Sequence, residues 1–296
     1  MIKKVKDLIK RGLTIISPKL ETQIGFKISF KKKLDLKNPK DLNEKILWLK
    51  LNLYNNNDIV TNCIDKFKIR EYLKKKNLEN LLPKLYAVYN KPEEIIWDKL
   101  PNSYVVKCNH GCGYNIIVPD AKKLNKEKAV KQLTKWLKED YWKKSAEIQY
   151  KYIKKKIIIE EYLGDVKNYK FYCFNGEPKL LYISTNETLN GEVLEKDKYI
   201  DYFDMDFKHI DCQLKEHPNN DKEKIDMPKC FEEMKTISRK LSEDFPFVRV
   251  DLYDVSGKVY ISELTFIPTG GYMHITPSHL IDEWGSWLKL DVKGDR

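Results

Sequence analysis

The chain has 296 residues, 42% of them hydrophobic, enough to bury the core of one large domain or of two closely packed ones. No run approaches the roughly 18 apolar residues of a membrane span, and the first twenty residues lack an apolar segment leading to a small-residue cleavage site, so a cytoplasmic globular protein is expected. The net charge of +11 hints at an anionic partner, but lysines outnumber arginines 50 to 5; arginine is the side chain that grips bases bidentately, so no nucleic-acid partner is expected.

The charge is unevenly placed: residues 1–50 hold 14 basic against 5 acidic side chains, most of the surplus. There Ile2, Val5, Leu8 and Ile9 fall at helical spacing opposite Lys3, Lys4, Lys6 and Lys10. This short amphipathic helix either docks, solvated, on the rest of the fold or makes a peripheral contact with an anionic membrane surface. Helices are predicted over 42–53 and 65–77, then a strand entered from LLPKLYAVY (81–89). From residue 104 a strand, YVVKCN, leads through a glycine-containing turn to IIVP, and a helix spans 126–142. KKIIIEEYL, NYKFYCF, PKLLYIST and DKYIDYFD read as successive strands with NG and GE turns between them, which predicts antiparallel sheet. A helix over 228–244 precedes a strand pair, FVRVDLYDVSGKVYISELTF, and HLIDEWGSWLKL closes the chain as a helix. The fold class is α+β, helices packed on antiparallel sheets. Six cysteines scattered through a chain this large are expected as reduced thiols.

Three stretches can carry chemistry. In VVKCNHGCGYN (105–115), Lys107 ends a strand and Gly111 and Gly113 punctuate the turn. Glycines let backbone amides approach phosphate oxygens and lysine adds a mobile charge, so the stretch suits a nucleotide, or else is an ordinary strand connection. Zinc on Cys108, His110 and Cys112 is disfavoured, because no second pair stands at ligand spacing. In IIIEEYLGD (157–165) a hydrophobic strand ends in Glu160 and Glu161 before Tyr162, a strand end that either pairs with an adenine edge or is solvated. Lys170, amid the apolar NYKFYCF, must face solvent or meet an anion. In the third stretch alternation puts Arg249, Asp251 and Tyr253 on one face of the first strand, and Ile261, Glu263 and Thr265 together on the second. Asp251 and Glu263 facing one side would repel; a divalent cation resolves this, and Mg²⁺ takes one or two carboxylates plus phosphate oxygens. Arg249 on that face suits bidentate binding of a carboxylate or its phosphorylated form. An ordinary solvent-facing hairpin is the other reading.

Taken in order, these parts resemble the ATP-grasp superfamily of ligases. NLKNPKDLNEKILWLKL, IDKFKIREYL, LPKLYAVY, VVKCNHGCG, IIIEEYLGD, VRVDLY and ISELTFIPTGG are most similar to the TupA-like (teichuronopeptide-biosynthesis) ATP-grasp family, over about residues 34–290. The resemblance implies two α+β subdomains clasping ATP, 81–155 and 156–296, behind a helical basic segment, 1–80. It implies that Lys66 and Lys107 contact phosphate, that Glu160, Glu161, Tyr162 and Leu163 form the adenine hinge, and that Asp251 and Glu263 ligate Mg²⁺. Thr265 stands where the superfamily often has asparagine, so its share in a second metal is open. Arg249 would stabilise the acyl phosphate or tetrahedral species. The implied activity is an ATP-dependent carboxylate–amine ligase acting on a bacterial cell-surface glycan or precursor, joining a uronic or amino acid to an amine. A capsule glycosyltransferase is the alternative, with FDMDF (203–207) as its acidic pair, although the early run of parallel strands and helices it would need is missing. A non-catalytic ATP-grasp binding module is disfavoured, since every charged position of the implied site is filled. Gly270 and Gly271 of GGYMH (270–274) form an anion-binding turn or simply a tight one, and whether Lys170 or His274 touches substrate is open.

Overall fold

The computed structural model describes residues 2–185, 188–189, 192–193, 198–215, 217–221 and 224–291, with 2–4, 188–189 and 192–193 described as backbone only. Two helices come first, α1 (Ile2–Ile16) and α2 (Pro18–Phe30). They part at Ser17, whose hydroxyl accepts from the Leu20 amide at 3.1 Å ahead of a proline in the first turn. The helix expected over 42–53 is α3 (Leu42–Leu51), capped by Asp41 accepting from the Glu44 amide at 2.9 Å. The one expected over 65–77 is shorter: α4 (Asp58–Ile64) ends at Asp65, and α5 (Ile69–Lys75) starts only after a bend. Asp65 makes that bend. Its Oδ1 accepts from the amides of Phe67 (2.8 Å) and Lys68 (3.2 Å) and from Asn109 Nδ2 (2.8 Å), a local network that competes with helical hydrogen bonding.

Next come β1 (Leu85–Tyr89), β2 (Tyr104–Cys108) and β3 (Asn115–Val118). The single helix expected over 126–142 is two, α6 (Lys126–Lys138) and α7 (Tyr141–Ser145). Glu139 and Asp140 are extended between them, their carboxylates held by Tyr114 and Lys144 and by Lys143 and Lys155. β4 (Ile157–Glu160) is buried throughout and inserts between β1 and β2, giving an antiparallel sheet ordered β1-β4-β2-β3. β4 therefore belongs with the first sheet, and a division of the sheets falls after Glu160 rather than at 155/156.

The second sheet is antiparallel, ordered β10-β9-β6-β5-β12-β13. Its members are β5 (Asn168–Phe174), β6 (Glu177–Thr185), β9 (Tyr199–Phe203), β10 (His209–Ile210), β12 (Phe247–Val255) and β13 (Lys258–Thr265). Short pairs form between β7 (Thr188–Leu189) and β8 (Glu192–Val193), and between β11 (Gln213–Leu214) and β14 (Ile275–Thr276). The helices α8 (Phe231–Ser242) and α9 (His279–Trp287) complete the chain. The largest hydrophobic core joins this sheet to α3, α4, α5, α8 and α9; a smaller one packs Leu133 of α6 on the first sheet, and a third joins Phe26, Leu34 and Leu47. Among the described residues no helix is long and apolar enough to cross a membrane.

Candidate active site

The two sheets contribute to one cleft of about 530 Å³, within the size range of small-molecule sites. Lys107 of β2 and Glu160 of β4 line it from the first sheet; Arg249 of β12 and Glu263 and Thr265 of β13 line it from the second; Lys66 enters from the bend before α5.

The geometry of β13 departs from simple alternation. Asp251 pairs with Glu263 but Leu252 pairs with Ile261, so Ser262 is an extra residue, a β-bulge. The bulge reverses the facing of everything before it. Ile261 and Leu264 are both buried in the core, and Ile261 does not share a face with Glu263 and Thr265 as strict alternation predicts. The bulge is what brings Glu263 to the Asp251 side of the sheet. Lys170 is the register partner of Asp251 on β5, so a lysine, an aspartate and a glutamate stand abreast on three neighbouring strands.

Arg249 closes on this row. Its Nε and Nη2 donate to Asp251 Oδ1 (2.7 Å) and Oδ2 (2.6 Å), and Nη2 also donates to Thr265 Oγ1 (3.1 Å) and lies 3.9 Å from Glu263. Asp251 is thus sealed behind Arg249 and only 1% exposed, while the Glu263 side chain is 35% exposed. Burial pushes the Asp251 carboxyl above its ordinary value against the pull of Arg249. Burial also pushes Glu263 upward, but Lys66, Arg249, Lys170 and Lys107 outweigh it and hold this carboxyl below its usual value. Lys170 is buried, donating to Ser184 Oγ at 2.9 Å and lying 5.1 Å above the Tyr182 ring; it ends the row without lining the cleft.

Lys66 spans the cleft floor. It donates to the Gly111 carbonyl at 2.9 Å and approaches Glu263 Oε2 at 3.6 Å, its position set by the Asp65–Asn109 bond one residue away. Gly111 is required by packing, since a Cβ there would sit 2.6 Å from the Tyr114 ring; Gly113 has φ +73° and lies outside the cleft lining. Lys107 forms an ion pair with the buried Glu160 at 2.9 Å, and Arg70 binds the other oxygen of Glu160 at 2.5 Å. Burial would lower the Lys107 pKa, but Glu160 leads the charges that raise it, so Lys107 stays protonated.

Of the expected hinge, Glu160 alone lines the cleft. The Glu161 amide donates to the Lys84 carbonyl at 2.9 Å, extending the β1–β4 ladder, and the Tyr162 hydroxyl donates to Asp165 at 3.1 Å. Leu163 is half-buried. Cys108 is buried in the first-sheet core, and His110 donates from Nε2 to the Trp136 carbonyl at 3.1 Å, with burial lowering its pKa to about 4. Among the described residues no three His, Cys, Asp or Glu side chains gather as a metal site. Asp204 of FDMDF accepts from the amides of Asp206 (2.9 Å) and Lys208 (2.8 Å), which shapes a tight turn. Gly270 lines the cleft with φ +67°, and His274 bonds Ser29 at 2.7 Å and stacks on Phe30, outside the lining.

Two participants escape the sequence reading. Arg70 carries a legible signal, being one of only five arginines, as Arg249 is. Glu147 carries none: it lies in an unremarkable SAEIQY segment, yet it is buried in the cleft lining beside Tyr141 and Tyr150. Burial pushes Glu147 up to about 7, with the charge of buried Lys50 opposing.

The sequence matches the family described as TupA-like ATPgrasp over residues 44–289. Among solved structures, it is similar to an L-amino acid ligase from Bacillus licheniformis (TM-score 0.51, 15% identity, covering 91% of this chain and 61% of that one). It is also similar to D-alanine–D-alanine ligase from Bacillus anthracis complexed with ATP (TM-score 0.42, 17% identity, 71% and 58%). The chain spans about three-fifths of the length of each of these structures. No curated protein matches it. The fold is an ATP-grasp fold.

Proposed function

Because the chain belongs to the TupA-like ATP-grasp family, we propose that it is an ATP-dependent carboxylate–amine ligase. ATP enters as a substrate. Its γ-phosphoryl group passes to a carboxylate oxygen, and an amine then displaces phosphate from the acyl phosphate to form the amide.

One observation carries this reading: five cations and three carboxylates from both sheets and the α5 region gather in, or directly behind, the lining of a single cleft. Lys66, Lys107, Arg70, Arg249 and Lys170 against Glu160, Asp251 and Glu263 leave a surplus of two positive charges, which suits a polyphosphate. The carboxylates also suit Mg²⁺. Asp251 and Glu263 face each other in register with the Thr265 hydroxyl beside them, and two carboxylates make an incomplete site whose remaining positions fall to phosphate oxygens and water. Bound there, Mg²⁺ would neutralise charge on the transferred phosphoryl group. Lys107 and Lys66 would hold phosphates, and Arg249 would turn from Asp251 toward the acyl phosphate. Glu147, poised near neutrality and sharing the cleft, would accept the proton of the incoming amine. The family resemblance supports a substrate among bacterial cell-surface glycans or their precursors, with a uronic or amino acid as the carboxylate.

Calorimetry with a nonhydrolysable ATP analogue tests the reading, with and without Mg²⁺, on the wild type and on Asp251→Asn/Glu263→Gln. Binding that strengthens with Mg²⁺ only in the wild type is expected, followed by ADP release when uronic acids and amines are supplied together. No nucleotide binding under either condition would sink it.

A further inference from the structure

A helix packed on a soluble fold normally turns its apolar side inward; α1 does the reverse. Among its described side chains the fully buried one is Thr14, whose hydroxyl donates to the Lys10 carbonyl at 2.9 Å, and Lys10 itself lines the cleft and lies 3.7 Å from the buried Glu21. Pointing away are Val5, Leu8, Ile9, Ile15 and Ile16, from 51% to 78% exposed. The stripe continues on α2 through Leu20, Ile24 and Ile28, one per helical turn and all exposed. Eight of the thirteen exposed large hydrophobics among the described residues therefore lie in one stretch of 24 residues, far from the scatter normal on a monomer.

Beside the stripe lies a basic groove of about 630 Å³. Arg11 of α1 lines it together with Lys131, Lys135 and Lys138 of α6 and Lys143 of α7. Its two acids, Glu139 and Asp140, are already engaged by Lys144 and by Lys143 and Lys155. Arg11, Lys131, Lys135 and Lys138 make no ion pair among the described residues, so the groove keeps a positive field next to the apolar stripe.

We propose that residues 5–28 form an interfacial docking surface for a membrane leaflet containing anionic lipid, the apolar stripe entering the acyl–headgroup boundary while Arg11 and the α6 lysines face the headgroups. Charge favours lipid over a second copy as occupant, because anionic headgroups complement the basic groove while a second copy would present the same positive groove. The surface stands independently of the ligase reading. Since Lys10 lines the cleft from the inward side of this helix, docking would hold the cleft across α1 from the bilayer.

The test is co-sedimentation of the full chain with vesicles of phosphatidylcholine alone and of phosphatidylcholine mixed with phosphatidylglycerol. The protein is expected to pellet with the mixed vesicles, less so as salt is added, and to stay in solution with phosphatidylcholine alone. Leu8→Glu/Ile16→Glu should weaken the partition by at least about tenfold. In Lys131→Gln/Lys135→Gln/Lys138→Gln each lysine removed should weaken it by about fivefold. Both variants should bind the ATP analogue as the wild type does. If circular dichroism shows the glutamate variant unfolded, the lysine variant decides. No pelleting of the wild type with anionic vesicles would overturn the proposal, and so would a lysine variant that pellets undiminished. A dimer in sedimentation velocity that Leu8→Glu/Ile16→Glu disperses, with no vesicle binding, would assign the face to a second copy instead.

Discussion

Asp251→Asn strikes the centre of the charged row. The substitution preserves shape but removes the charge and turns an amide N–H₂ toward one of the two Arg249 nitrogens, Nε and Nη2, that now donate at 2.7 and 2.6 Å. With charge centres roughly 4 Å apart, the attraction is about 4 kcal/mol at an effective dielectric of about 20. Breaking one side of a buried pair typically costs about 3–5 kcal/mol. Here the lower figure applies, because Arg249 keeps Thr265 at 3.1 Å and Glu263 at 3.9 Å as remaining partners. Urea unfolding at neutral pH is therefore expected to show Asp251→Asn less stable by about 3 kcal/mol. Arg249→Met should also be costly, since it leaves a buried carboxylate whose nearest remaining cation is Lys170. The double variant should cost clearly less than the sum, with a coupling of about 1–3 kcal/mol. A single Asp251→Asn variant within about 0.5 kcal/mol of the wild type would refute the argument, because such a value belongs to surface sites and would mean that the pair is open to water in solution.

Three further outcomes are expected. Lys107→Ala should weaken the ATP analogue by about 10–100-fold in calorimetry, the worth of one hydrogen bond to a charged group; unchanged affinity would remove Lys107 from the phosphate site. Glu147→Gln should gain stability relative to the wild type as pH rises. The folded carboxyl titrates at about 7 rather than its ordinary 4.5, so the protonated form favours folding below pH 4.5 and that contribution is lost as pH climbs through 7, by up to roughly 3 kcal/mol, which denaturation at pH 5 and pH 9 would measure. Gly285→Ala should lower the unfolding midpoint in a thermal scan, because the added Cβ would lie 2.7 Å from the Leu42 amide and from the Lys40 carbonyl, backbone atoms of the α3 entry; overpacking of this kind costs about 1–3 kcal/mol.

How much of this was legible in the sequence varies with the range of the interaction that decides it. Strands such as NYKFYCF and PKLLYIST stand where the apolar runs put them, and the α+β class follows, because burial on both faces leaves a local signature. Helix ends were less legible where a distant group competes for the backbone. The bend at Asp65 depends on Asn109, 44 residues on, and the break at Glu139 and Asp140 on Tyr114 and Lys155. The carboxylate pair was readable as residue types, yet alternation alone assigns Ile261 and Glu263 to one side. The Ser262 bulge is what reconciles a buried Ile261 with a Glu263 facing Asp251, and its Oγ bond to the Tyr253 hydroxyl at 2.9 Å ties it across the hairpin. Lys170 was readable as anomalous, since an ammonium amid apolar residues needs a counter-charge. Its partner strand, 81 positions away, was not. Glu147 marks the limit: nothing in its neighbours announces it, and only the packing of α7, Lys50 and the aromatic pair around it makes an ordinary glutamate the cleft's group that titrates near neutrality.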